Sequence, residues 1–140
     1  MAIKMRVLYA SGKKKINLIA NDIKAKYDLA FNSVDVIPPA YSCDKERVVV
    51  LAISAKGDVS DAVRLFCREL TKARAQNVAL MIDGDEAAAN KLKSILTEAG
   101  TNVIDEVCYV NGGGLFSSKP KAEELEAVYA WIDRCIANLK

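Results

Sequence analysis

Short apolar runs alternate along this chain with longer stretches of helical period, and that alternation constrains the fold more than any single motif. The runs are Met5 to Tyr9, Ser33 to Ile37, Val48 to Ile53, Val78 to Ile82 and Val107 to Val110. Three of them are continuous blocks rich in Val, Ile and Leu, the pattern of strands buried on both faces. Between them the apolar residues recur at helical spacing. Ile16, Ile19, Ala20 and Ile23 share one face, as do Val59, Ala62, Val63, Phe66 and Leu70, with Asp58 as the expected N-cap. A third set, Ala88, Leu92, Ile95, Leu96 and Ala99, is closed by Gly100, and a fourth runs from Pro120 through Leu125, Val128, Trp131, Ile132 and Cys135. Pro38 and Pro39 break the interval before the third run, leaving an irregular loop to Glu46.

Strands alternating with helices imply right-handed crossovers and a parallel sheet covered on both faces. With 140 residues, 51% of them apolar, the chain has the length and the core material of one domain over 1–140. In such sheets ligands sit beyond the carboxyl ends of the strands. The candidate loops are therefore 10–15, 38–45, 54–58, 83–86 and 111–118.

Composition removes several chemistries. The chain has no histidine, which excludes Ser-His-Asp and Cys-His nucleophiles and histidine-ligated metals. Its four cysteines, Cys43, Cys67, Cys108 and Cys135, form no C-x-x-C pair, so they read as free thiols. Of these, Cys43 is expected to be the exposed, reactive one. The net charge of +2 gives no argument for nucleic acid or membrane. No apolar run approaches the roughly 20 residues that span a bilayer, and no signal region opens the chain, so a cytoplasmic location is expected.

The first loop, Ser11-Gly12-Lys13-Lys14-Lys15-Ile16-Asn17, opens directly into a helix. A small-residue turn at a helix N-terminus offers unpaired N–H groups to an anion. Ser11, the three lysines and Asn17 then read as a phosphate cradle, against the alternative of a solvated turn. In the third loop Ser54, Ala55, Lys56 and Gly57 read either as a ligand edge or as a tight connection. In the fourth, Asp83 and Asp85 are either a carboxylate pair for metal or acid/base work, or Gly84 makes the turn while Asp85 caps the next helix. Gly112, Gly113 and Gly114 permit close backbone approach to a ligand and equally suit a surface loop. No G-x-G-x-x-G or Walker-type sequence is present.

Val7-Leu8-Tyr9-Ala10-Ser11, followed by Ile16 to Ile23, resembles the first strand, phosphate loop and first helix of flavodoxin. Val48 to Ser54 with Val59 to Leu70 is similar to its third strand and second helix, and Val78 to Asp85 to its fourth strand and Gly-Asp turn. Trp131 in the last helix also fits. The resemblance covers nearly the whole chain and implies a flavodoxin-like three-layer α/β sandwich, its five-stranded parallel sheet in the order 2-1-3-4-5. It further implies FMN as cofactor and electron transfer to a redox partner protein, an electron carrier rather than a catalyst with its own substrate. Ser11, Gly12, Lys13, Lys14, Lys15 and Asn17 would hold the phosphate; Ser54, Ala55, Lys56, Gly57, Gly84 and Asp85 would meet the ring. The chain departs from the family's Ser/Thr-x-Thr-Gly-x-Thr loop at Lys13, Lys14 and Ile16. It has no aromatic in 54–58 or 83–88, so Tyr41 and Phe116 are the substitute stacking faces. Its pI near 8.3 contrasts with the acidic family. The competing readings are a flavodoxin-like module without flavin, binding a partner or a phosphoryl ligand, and a flavin-dependent reductase. Receiver domains share the sheet order but need an acidic pair where Ala10-Ser11 stands.

Overall fold

The structure, a computed structural model, describes residues 3–27, 33–39, 42–111 and 119–140. Strand β1 (Met5–Ala10) leads through the first loop to α1 (Lys14–Lys26), and β2 (Ser33–Val36) precedes an irregular segment containing a cis Ile37–Pro38 peptide. Then follow β3 (Val48–Ala55), α2 (Asp61–Arg68), β4 (Asn77–Gly84), α3 (Glu86–Ala99), β5 (Asn102–Val103), β6 (Cys108–Tyr109) and α4 (Ala122–Ala137).

Among the described residues all the pairings are parallel, in the order β2-β1-β3-β4, with β5 and β6 both on the outer edge of β4. The fifth strand position is thus filled by two short pieces. Asn102 and Val103 pair with Asn77 and Val78, and Cys108 and Tyr109 pair with Met81 and Ile82. The expected strand over 107–110 is β6, while β5 is an addition. Its two-residue ladder is too short to leave an alternating signal.

Alternation along the central strand explains its unbroken apolar run. Val49, Leu51 and Ile53 face a core shared with Val63 and Cys67 of α2 and Leu92 and Leu96 of α3. Val48, Val50 and Ala52 face a second core with Ile16, Ile19 and Ile23 of α1 and Val128, Trp131 and Ile132 of α4. Because both faces are covered, neither set of side chains can be polar. Trp131 is fully buried and donates its indole N–H to the carbonyl of Glu106 at 2.8 Å, which satisfies its one polar group.

At the amino end of the strands, buried Asn77 ties several segments together. Its amide donates to the carbonyls of Arg47 and Lys140 and accepts from Asn102 Nδ2 and the Lys140 N–H. The carboxyl end is built differently, from hydroxyls, carboxylates and lysines.

Candidate functional site

Parallel pairing brings the first, third and fourth loops together. Ala10 is level with Ile53, and Ser54 with Asp83, so Ser11, Ser54 and Asp83 emerge side by side at the carboxyl ends of β1, β3 and β4. Their side chains form one continuous chain of bonds. Lys13 N–H donates to Ser11 Oγ at 3.0 Å, the two serine hydroxyls lie 2.6 Å apart, and Ser54 Oγ donates to Asp83 Oδ2 at 2.8 Å. Ser54 spends its one hydrogen on Asp83, so Ser11 is the donor to Ser54. Lys13 Nζ closes the chain on the same Asp83 Oδ2 at 2.8 Å. Asp83 is 7% exposed, whereas the Lys13 side chain is 43% exposed.

Helix α1 begins at Lys14 with Lys13 as N-cap, slightly ahead of the expected Ile16. It has no side-chain cap and no acidic residue in its first turn. Its end therefore keeps the partial positive charge that unpaired N–H groups confer. Gly12 has open space around its Cα, and Lys14 is exposed.

Of the six phosphate-cradle residues, Lys15 is placed elsewhere. Lys15 is 5% exposed and pairs with Glu124 of α4 at 2.6 Å, so it locks two helices together. Asn17 Oδ1 is buried with no hydrogen-bond partner, while an amide also carries two donors. The tri-lysine run thus divides into Lys13 on Asp83, Lys14 in solvent and Lys15 in the α1–α4 seam.

Asp85 caps α3, accepting from Ala88 N–H at 3.0 Å, and also from Gly57 N–H at 2.9 Å. These two backbone bonds hold its carboxyl below the usual range, that from Gly57 being the larger cause. Gly57 has φ +73°, a left-handed conformation that favours glycine. Asp83 and Asp85 therefore serve different partners, Asp83 the Ser54 hydroxyl and Lys13, Asp85 the backbone of α3 and Gly57. Among the described residues no group of three or more acids and cysteines is arranged to hold a metal. Asp58 is not the cap of α2: Ser60 is, accepting from Val63 N–H, while Asp58 pairs with Arg64 and Lys91.

Cys43, expected to be exposed, is 3% exposed and lies against Arg6 Nη1 at 3.7 Å. Burial pushes its thiol up despite the guanidinium. Cys43 thus points inward, where it closes part of the core.

FMN requires a phosphate seat and flat faces for its ring. The seat fits: an uncapped helix end, open space at Gly12, and Lys13 and Lys14 beside it. For the ring, the expected Tyr41 and Phe116, and the glycines at 112, 113 and 114, lie outside the described residues. Tyr109, which sequence reasoning passes over, stands level with Ile82 and is 50% exposed. Partial burial, and after it the charges of Glu86 and Asp85, push its phenol upward. Its signal in the sequence is its position as the last residue but one of an apolar run.

No family model matches the chain, and no curated protein sequence matches it. Solved structures do. A short-chain flavodoxin associated with a non-canonical PDU bacterial microcompartment is similar at TM-score 0.64 and 14% identity, over 95% of both chains. A cysteine-to-alanine mutant of flavodoxin from Pseudomonas aeruginosa is similar at TM-score 0.61 and 13% identity, over 98% of this chain and 99% of that one. The chain has a flavodoxin-like fold. No described helix is long and apolar enough to cross a membrane.

Proposed function

We propose that this chain is an FMN-binding electron carrier that meets a redox partner protein at the carboxyl end of its sheet. The observation that carries the reading is the uncapped, lysine-flanked N-terminus of α1 at the mouth of β1 and β3, in a chain alike to flavodoxins from end to end. The backbone at Gly12 and Lys14 and the Lys14 ammonium would hold the phosphate, and Lys13 would join them on leaving Asp83. Gly57, Gly84, Asp85 and Tyr109 would border the ring. FMN, when bound, supplies the redox chemistry. The chain's residues orient it, and the carboxylates of Asp83 and Asp85 set the charge nearby, which disfavours added negative charge there.

A second reading, a flavodoxin-like module without flavin, is favoured by one specific observation. The Ser11 hydrogen is spent on Ser54, and a carboxylate stands at the phosphate seat. Titration with FMN and riboflavin, followed by quenching of flavin fluorescence, separates the two. FMN binding that weakens in Lys13→Glu plus Lys14→Glu, and most at low ionic strength, supports the first reading. Absence of quenching at high FMN concentration leaves the flavin-free module.

A further inference from the structure

We propose that Asp83 determines the affinity and charge selectivity of the carboxyl-end site, by holding Lys13 away from the incoming ligand and by disfavouring a doubly charged phosphate. The inference deepens the reading above and rests on it, in that the α1 N-terminus is taken to be where the anion sits.

Lys13 is the N-cap of α1, so its ammonium is the cation nearest in sequence to the helix end. Its Nζ lies 2.8 Å from Asp83 Oδ2. Nearly half of the Lys13 side chain faces solvent, whereas the Asp83 side chain is 8% exposed. An anion arriving from solvent therefore meets the lysine first and the carboxylate behind it. It has two ways to bind. It can draw Lys13 across to itself, which takes from a buried carboxylate its ion-pair partner. Or it can leave the pair intact and sit beside a negative charge. Both cost more for a phosphate monoester of charge near −2 than for a singly charged ligand.

The hydroxyls reinforce the effect. Ser54 donates to Asp83 and Ser11 donates to Ser54, so the Ser11 hydroxyl has no hydrogen left for a phosphate oxygen while Asp83 is ionised and holds Ser54. Asp83 thus governs both the cation and the hydroxyl that face the seat. Asn at this position removes the negative charge and releases Lys13, while its carbonyl still accepts from Ser54, so the serine pair stays as it is and the variant reads the cation alone.

The test compares wild type, Asp83→Asn and, as a second replacement should the amide disturb folding, Asp83→Ser. FMN and riboflavin are titrated by fluorescence quenching. Separately, acetylation of Lys13 relative to Lys14 is measured by mass spectrometry, with and without inorganic phosphate. Release of Lys13 should raise its relative labelling in both variants. FMN should bind the variants about tenfold or more tightly than wild type, equivalent to about 1.4 kcal/mol, with riboflavin unchanged. Adding Lys13→Gln should abolish that gain. If wild type binds FMN and the variants bind it no more tightly, this inference is overturned while the flavin reading stands. If none of the proteins binds FMN, the flavin reading falls and the labelling decides. Stronger protection of Lys13 by phosphate in the variants sustains the role of Asp83; equal protection, or none in any of them, overturns it.

Discussion

A Cβ built on Gly84 would lie 1.6 Å from the carbonyl oxygen of Ala55. These two residues form the last rung between β3 and β4, just where the strands deliver Ser54 and Asp83 to the site. A methyl group there meets backbone, which cannot swing aside, so the rung itself must open. Gly84→Ala should cost about 2–3 kcal/mol, at the upper range of overpacking, and should loosen the Ser54–Asp83 bond. Urea unfolding checks it; a change below about 0.5 kcal/mol would show that the turn relaxes freely.

The start of α2 gives a second prediction. Ser60 accepts from Val63 N–H at 3.3 Å, whereas Asp58 lies outside the helix and binds Arg64 and Lys91 at the surface. Ser60→Ala should lose about 1 kcal/mol. Asp58→Ala should lose less, because its exposed ion pairs are screened by water. Thermal unfolding of both variants ranks the two residues, and the reverse ranking would restore Asp58 as the cap.

Legibility in the sequence follows the range of the interactions involved. Val48 to Ile53 is readable as a central strand because both of its faces are buried, so no polar residue interrupts the run. Gly100 and Asp85 are readable as helix ends because their partners lie within four residues. Lys15 is not readable. Nothing nearby distinguishes it from Lys13 and Lys14, since the partner that buries it, Glu124, comes from the last helix. Asp83 is hidden for a similar reason: its role depends on Ser54 and Lys13, which only the adjacency of β1, β3 and β4 brings to it. Cys43 is misplaced because a loop with two prolines gives no period from which inward and outward faces can be told.

Thiol reactivity provides a third prediction. Cys43, Cys67 and Cys135 are buried, Cys67 completely, whereas Cys108 is half-buried. Burial pushes Cys67 and Cys135 up to about 12 and Cys108 up to about 11. Native protein should therefore react slowly with a disulfide reagent at neutral pH, with Cys108 first, because it is the most accessible of the four. Denatured, unreduced protein should titrate four thiols. Peptide mapping that finds Cys43 labelled first would show that the core opens at Cys43 in solution.

The ion pair between Lys15 and Glu124 joins α1 to α4 at 2.6 Å, and its two ends differ in burial. Lys15 is enclosed, while the Glu124 side chain keeps 28% of its surface in water. Removing the glutamate charge leaves an ammonium buried without its partner, which costs more than the pair itself is worth. With a discount for the water that reaches Glu124, Glu124→Gln should destabilise the protein by roughly 1–2 kcal/mol at neutral pH. Lys15→Met in the same background should recover much of that, because the buried charge is then gone and its stem is replaced by apolar volume. The bond from Lys15 also holds the Glu124 carboxyl below its ordinary value. A depressed carboxyl stabilises the fold above the unfolded value, about 4.3 for glutamate, and loses that contribution as the pH falls through its folded value. The stability gap between wild type and Glu124→Gln should thus be full at about pH 6 to 7 and close progressively below about pH 4. Urea titrations at several pH values measure the gap directly, and a gap that stays constant into acid would mean that Glu124 contributes shape rather than charge.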